Sequence, residues 1–255
     1  LIINDDTTGG AFKMFTEKGL FEVYDNKAVS SVSTNLFFTA LTAASYTVTV
    51  KLIAQVDTAT FNNYDVVIAA SGIAPDPMRR VDVRTALIRR AQSGKKIWLE
   101  GGELGYDFRW QPSGELDKTF RQSVMHDSAW STDNSSGDVN FTVPSHAIFT
   151  TPNILTSPFA FTTRTSYADK DAVTLMPSDA GATIVGGWSA QAGKASIIVW
   201  DNNTNVNSAA VIYSSFAIGS MTDTVAAKKL ITNGVTFLLA SEVPTTGAVT
   251  GTIFL

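Results

Sequence analysis

The sequence predicts an α/β fold whose open sheet is mainly parallel, flanked by helices, and antiparallel at its C-terminal edge. Two segments, Asp65–Ala70 and Ile97–Leu99, are dominated by consecutive apolar residues, as is typical of strands covered on both faces. A helical segment separates them, and three closely spaced strand-like segments follow between Thr183 and Phe216. Strands that alternate with helices indicate a parallel sheet, and closely spaced strands indicate an antiparallel one.

Composition excludes several classes of protein. The 255 residues are 44% apolar, which is enough for a substantial core. Only 16% are charged and the formal net charge is −4, so we expect no nucleic-acid partner. No apolar run reaches the roughly 18 to 20 residues of a membrane helix. The chain has no cysteine, which removes disulfides, thiolate metal sites and cysteine nucleophiles.

The first residues predict a short strand that ends in acidic side chains. Because open α/β sheets place their sites at the carboxyl ends of parallel strands, Asp5 and Asp6 are candidate metal-binding or ligand-binding residues. The alternative is that these two side chains cap the turn that follows the strand.

The next segments supply two helices and a strand. Apolar residues on one face predict a helix over Ser33–Ser45, and β-branched content predicts a strand over Tyr46–Ala54. A second helix is predicted to begin with Asp76 as its N-cap and to end at Gly94. We interpret the arginines of this second helix as a solvated face rather than an anion site; they are Arg79, Arg80, Arg84, Arg89 and Arg90.

The stretch Lys95–Tyr106 combines a buried strand with a glycine-rich turn. Gly101, Gly102 and Gly105 permit a sharp turn, including one through positive φ. In α/β hydrolases, a G-x-nucleophile-x-G turn at the carboxyl end of a strand presents the catalytic side chain. Glu103 occupies that position here, so a carboxylate stands where Ser or Cys is expected.

Other polar residues are expected at the same edge of the sheet. Ser71 ends the preceding buried strand, and Tyr106 and Asp107 follow the turn. We therefore predict a ligand-binding edge formed by Ser71, Glu103, Tyr106 and Asp107. Residues from about 106 to 140 are expected to form an irregular insertion, which would act as a lid or a contact surface.

The sequence does not indicate a metal site or a cofactor. His126 and His146 are far apart in the chain and are poorly accompanied by other types of metal ligand. Residues His146–Phe149 instead predict a short helical turn that docks through Ile148 and Phe149.

The last part of the chain predicts a closing helix and a boundary. Thr224–Ala240 is apolar enough to pack on the sheet, and Asp223 is the expected N-cap. Gly234 inside this helix costs about 1 kcal/mol relative to Ala, so close packing is the expected compensation. Residues 242–255 are expected to be a linker followed by the first strand of a β-sandwich-like module.

The order of these segments resembles that of the class I glutamine amidotransferase-like superfamily, specifically its ThuA-like and non-catalytic branches in large secreted bacterial proteins. The matching pieces span most of residues 1–241 and are Leu1–Asp6, Asn63–Ile68, Gly94–Tyr106, His146–Phe149, Ala210–Phe216 and the closing helix. The resemblance implies a flavodoxin-like fold. The tail from Gly247 is similar to the opening strand of carboxypeptidase-regulatory-like sandwiches.

The chain departs from this superfamily at its catalytic positions. Amidotransferases carry a cysteine in the turn, assisted by a histidine and a glutamate late in the chain. Here Glu103 matches the cysteine, and Ala210–Thr224 contains no histidine. A carboxylate without a base is a poor acyl-transfer nucleophile, so amidotransferase activity is not expected.

Two functions are consistent with the sequence. The first is a non-catalytic module of a larger secreted or cell-surface protein, with a structural, adhesive or ligand-contact role. Its partners would be neighbouring domains and a protein or glycan ligand. The alternative is a hydrolase or isomerase in which Asp5, Asp6, Glu103 and Asp107 converge as an acid/base pair or hold a divalent cation.

An extracellular or cell-surface location is the expectation from composition. Thr, Ser, Asn and Gly are abundant, and Lys is scarce. The chain begins at Leu1, inside a predicted strand and without an initiator Met, so we expect it to be a piece of a longer precursor.

Overall fold

The computed structural model describes residues 1–4, 12–16, 19–23, 32–74, 77–110, 115–133, 137–162, 170–201 and 210–240. Its strands are β1 Ile2–Asn4, β2 Phe12–Thr16, β3 Gly19–Val23, β4 Val50–Leu52, β5 Val66–Gly72, β6 Lys96–Gly101, β7 Asp127–Asp133, β8 Val139–Phe141, β9 Asp171–Leu175, β10 Ala182–Trp188, β11 Ala195–Asp201 and β12 Ala210–Ser214. Its α-helices are α1 Val32–Ala43, α2 Val81–Gln92, α3 Leu104–Trp110, α4 Glu115–Phe120, α5 Ala147–Thr150 and α6 Thr224–Ala240. Shorter 3₁₀ helices occupy Ile53–Gln55, Thr58–Asn63 and Ile218–Ser220, and a π-helical turn occupies Arg121–Met125.

The predicted fold class is confirmed. Ten strands form one sheet in the order β4-β1-β5-β6-β12-β11-β10-β8, with β9 paired to β11 and β7 paired to β9. Neighbours from β4 to β12 run parallel, and the pairings beyond β12 are antiparallel. Strands β2 and β3 form a separate hairpin. Among the described residues, no helix is both long enough and apolar enough to cross a bilayer.

The central strand β6 separates two hydrophobic clusters because successive side chains point to opposite faces. Ile97 and Leu99 pack with residues of α2 and α3, such as Leu87 and Leu104, on one face. Trp98 packs with residues of α1, α5 and α6 on the other face. The sheet is therefore covered on both sides, as its consecutive apolar residues predict.

Helix α6 approaches the sheet closely at Gly234. A Cβ atom added there would lie 2.2 Å from Cζ3 of Trp98. Asp223 caps this helix by accepting the N–H groups of Val225 and Ala226. The predicted helix, its cap and the close packing at Gly234 are all confirmed.

The second predicted helix begins later than the sequence indicates. Helix α2 starts at Val81, with Arg80 in the N-cap position. Met78 has a φ of 57°, in the left-handed region, which prevents a right-handed helix from continuing through it. Asp76 lies outside the described residues. The predicted end is correct, because Gly94 follows the helix with a φ of 79°.

The interpretation of the five arginines as a solvated face is wrong for two of them. Arg84 and Arg90 are only 7% and 2% exposed. The guanidinium of Arg84 donates to the carbonyl oxygens of Met78 and Arg79 and pairs with Asp117. The two buried arginines donate hydrogen bonds to backbone carbonyl groups in the segments that connect helices and strands. The spacing of residues along a helix cannot predict such contacts.

Other boundaries also differ. The strand expected over Tyr46–Ala54 is shorter than predicted and is limited to β4. Among the described strands, β4 pairs only with the three residues of β1. A 3₁₀ helix begins directly after it, at Ile53. The segment expected to be an irregular insertion contains α3, α4, β7 and β8. The linker and following strand predicted for 242–255 lie outside the described residues.

Candidate functional site

The turn after β6 follows a buried strand, as predicted, but it leads into helix α3 and not into the irregular insertion expected from about residue 106. β6 ends at Gly101 and α3 begins at Leu104, so Glu103 lies directly before the helix. Residues 101–105 are all buried, and Glu103 is 8% exposed. Within the described part of the chain, the position that would hold a nucleophile is therefore largely shielded from solvent.

Two glycines of this turn, Gly101 and Gly105, serve close packing and not an unusual φ. Neither Glu103 nor any of these glycines is among the described residues with positive φ. A Cβ on Gly101 would lie 2.9 Å from Cβ of Ser71, and a Cβ on Gly105 would lie 2.7 Å from Cγ1 of Val173. The positive φ that glycine permits is thus not used here, and close packing accounts for glycine at positions 101 and 105.

The structure brings the predicted edge residues together in part. Ser71 is buried against Gly101, and the neighbouring strands are joined where the N–H of Gly102 donates to the carbonyl of Gly72 at 2.9 Å. Tyr106 and Asp107 occupy the first turn of α3, both half-buried. The ring centroids of Tyr106 and Trp130 are 5.3 Å apart.

The acidic pair at the end of β1 is not tested. Asp5 and Asp6 lie outside the described residues, so their convergence on Glu103 stays a prediction. Within the described part of the chain, no group of three or more His, Asp or Glu side chains is arranged to hold a metal ion.

Sequence reasoning missed the acid that supports α3. The Oδ2 atom of Asp171 accepts the N–H groups of Gly105 at 2.7 Å and Tyr106 at 3.0 Å. Its Oδ1 atom accepts the indole N–H of Trp130 at 2.9 Å. Asp171 is fully buried, and this burial raises its pKa well above the usual value, with a further contribution from the nearby Asp133. The only signal in the sequence is an acid immediately before the short apolar run of β9.

Glu100 is a second buried acid at this edge. Its side chain lies on the face of the sheet opposite to α3. There its Oε1 atom accepts hydrogen bonds from the hydroxyl of Ser33 at 2.8 Å and from the N–H of Ile218 at 2.6 Å. Its Oε2 atom accepts the N–H of Gly72 at 3.1 Å. Complete burial raises the pKa of Glu100 to about 7, while the three hydrogen bonds oppose that shift. Glu100 lies within the stretch Lys95–Tyr106, but as a strand residue it gives no pattern that marks it.

Both histidines have structural contacts elsewhere. His126 stacks on Trp200, with ring centroids 4.8 Å apart, and its Nδ1 contacts Asp179. Trp200 is paired with Val211 on β12, and Val211 is paired with Ile97 near the beginning of β6. His126 therefore lies near the amino end of β6, whereas the turn at Glu103 follows its carboxyl end.

His146 belongs to the short helix α5. Its Nδ1 accepts the N–H of Ile148 at 3.3 Å, and its ring lies 5.1 Å from that of Phe237. Ile148 and Phe149 are buried, so the predicted docking of this turn is confirmed.

The site therefore contains carboxylates that bind backbone N–H groups, and neither histidine is placed in contact with them. Glu100 joins β5, α1 and the 3₁₀ turn at Ile218, and Asp171 joins β9 to α3. This chemistry fixes the positions of loops and helix ends.

No protein-family model and no curated protein sequence matches the chain. Among solved structures, the mmIFT52 N-terminal domain is similar to 86% of this chain and 92% of its own, at 11% sequence identity and a TM-score of 0.45. A likeness this distant carries no argument about function.

Proposed function

We propose that this chain is a non-catalytic, amidotransferase-like module of a larger secreted or cell-surface protein, with a structural, adhesive or ligand-contact role. The observation that carries the proposal is the buried turn at Glu103. A nucleophile has to meet its substrate, and here the corresponding position is buried and holds a carboxylate.

The missing base supports the same proposal. A nucleophilic site needs a base within hydrogen-bond reach. His126 stacks on Trp200, and His146 caps α5, so each imidazole is committed to a contact outside the turn.

One observation favours the alternative of carboxylate chemistry. The indole N–H of Trp130 lies 3.1 Å from Asp133 Oδ1 and 2.9 Å from Asp171 Oδ1, so two carboxyl groups approach the same donor beside the turn. Such a pair separates the pKa values of its members and is one way to build an acid and a base. The second candidate function is therefore a hydrolase or isomerase that uses Asp133 and Asp171 at this edge.

Turnover assays distinguish the two functions. The wild type is incubated with glutamine, aryl esters, aryl glycosides and aryl phosphates, with and without Mg²⁺ or Ca²⁺. We expect no product above that formed with heat-denatured protein. The matched variants are Glu103→Gln, Asp171→Asn and the control Asp138→Asn, whose side chain has no partner among the described residues.

Turnover that disappears in Glu103→Gln or Asp171→Asn but persists in Asp138→Asn would overturn the non-catalytic role. The proposed location is tested separately, by treating intact source cells with protease. Loss of the chain from intact cells supports surface exposure, and protection until lysis argues against it.

A further inference from the structure

A groove of about 940 Å³ runs along helix α2, and it is distinct from the buried turn at Glu103. Its second wall is the 3₁₀ helix Thr58–Asn63, which precedes the start of β5. Ser93, at the end of α2, also lines it and precedes the start of β6. The groove therefore lies at the amino ends of β5 and β6, whereas the turn at Glu103 lies at their carboxyl ends. Its volume is within the range of ligand sites.

One face of α2 forms the length of the groove. Val81, Thr85 and Arg89 line it at intervals of four residues, which places them on the same side of the helix. At 1.5 Å per residue, Val81 and Arg89 are about 12 Å apart along the axis. That distance corresponds to about four residues of an extended peptide.

Two of the three arginines that line the groove are already committed. Arg80 pairs with Asp82 and donates to the carbonyl oxygens of Ile53 and Val56. Arg90 is buried and donates to four backbone carbonyls.

Arg89 differs from both of them. It is exposed, and within the described part of the chain its guanidinium has no hydrogen-bond or ion-pair partner. The same is true of the side chains of Thr58 and Asn62 on the opposite wall.

These groups define the chemistry of an occupant. A guanidinium binds a carboxylate through two parallel hydrogen bonds. A single available cation, on a protein of net charge −4, suits a ligand with one carboxylate and does not suit a sulfated glycan, whose many anions require several cations. The amide of Asn62 and the hydroxyl of Thr58 match peptide N–H and C=O groups. Val81, which is 56% exposed, provides apolar contact.

We propose that the groove between α2 and Thr58–Asn63 binds an extended peptide segment with an acidic side chain, held by Arg89. The inference rests on the ligand-contact role proposed above and names the class of ligand. Peptide binding in the groove does not involve the turn at Glu103. A failure of the peptide-binding experiment would therefore leave the non-catalytic role intact, and detection of turnover would leave the peptide proposal intact.

An NMR titration of the ¹⁵N-labelled chain tests this. The probes are a pool of acetylated hexapeptides with glutamate fixed at the third position, a matched pool with glutamine there, and a sulfated hexasaccharide. We expect the glutamate pool to shift the amide signals of Asn62, Thr85 and Arg89. Arg89→Met should weaken that binding about tenfold, as expected for loss of a charged hydrogen bond.

The matched control is Lys229→Met, which removes the same charge from an exposed position on α6. It should leave the affinity unchanged, and circular dichroism should show both variants folded. No shift with the glutamate pool, equal shifts with both pools, equal weakening by Lys229→Met, or tighter binding of the hexasaccharide would each overturn the proposal.

Discussion

The carboxylate of Asp171 accepts the backbone N–H of Gly105 at 2.7 Å, across 66 positions of sequence. This contact attaches the first turn of α3 to β9. The N–H groups of a helix's first turn lack partners within the helix, so a distant acid supplies one here. A side chain on Gly105 would disturb this contact, because its Cβ would lie 2.7 Å from Cγ1 of Val173 and 3.1 Å from Asp171 Oδ2.

Asp171→Ala should lower the free energy of unfolding by about 2–3 kcal/mol, since the N–H groups of Gly105 and Tyr106 lose their acceptor while the indole N–H of Trp130 keeps Asp133. Asp171→Asn keeps an oxygen and should cost less. Urea unfolding measures both, and hydrogen exchange should accelerate at Gly105 and Tyr106. Asp138→Ala is the control, with an expected change below about 0.5 kcal/mol. Equal effects of the two alanine variants would contradict this role of Asp171.

Glu100 should make stability depend on pH. Its pKa is about 7 in the folded protein and 4.5 ordinarily, so the folded state binds the proton more tightly. The stabilisation due to this group is therefore present at pH 4.5 and below, and it is lost as the pH rises to about 7. The free energy of unfolding should fall over this interval by about 3 kcal/mol.

Glu100→Gln isolates this contribution from those of other titrating groups. Urea unfolding of both proteins between pH 4.5 and 8 should show that the difference between them depends on pH in this direction. Parallel stability curves for the wild type and Glu100→Gln would show that Glu100 does not titrate there.

Arg90 should be far more important to stability than its neighbour Arg89. Its guanidinium donates to four carbonyl oxygens, those of Phe61, Tyr64, Asp65 and Lys96. Lys cannot reproduce this planar array, so Arg90→Lys should lower the free energy of unfolding by about 3 kcal/mol. Arg89→Lys, at an exposed position, should change it by less than about 0.5 kcal/mol. Similar unfolding midpoints for the two variants would refute the distinction.

Gly234→Ala should destabilise the protein although Ala is the better helix former. The added methyl group would meet Trp98, whose Cζ3 and Cη2 lie 2.2 and 2.5 Å from the Cβ position. Overpacking of this kind costs about 1–3 kcal/mol, which exceeds the helix-propensity gain of about 1 kcal/mol.

The same substitution should cost less in a Trp98→Leu background, because the smaller side chain leaves space for the methyl group. Thermal or urea unfolding of the four proteins in this double-mutant cycle measures the difference. An equal cost in both backgrounds would mean that the contact with Trp98 is not the cause.

Local patterns predicted what depends on local physics. Consecutive apolar residues identified β5 and β6, and the apolar pattern with Asp223 identified α6 and its cap. The same reasoning placed the turn at Glu103 at the end of a buried strand, but it expected an irregular insertion where helix α3 follows. It failed at the start of α2, where a left-handed Met78 interrupts the helix.

The sequence by itself determined the buried strands β5 and β6, the helices α1, α2 and α6 and the position of the turn, because periodicity and glycine content act over a few residues. Only the tertiary structure decided that the turn is buried, that Arg90 is buried, and that Asp171 and Glu100 anchor the edge. These properties arise from contacts between residues that are tens of positions apart, and no local pattern encodes which acid or arginine will find buried partners.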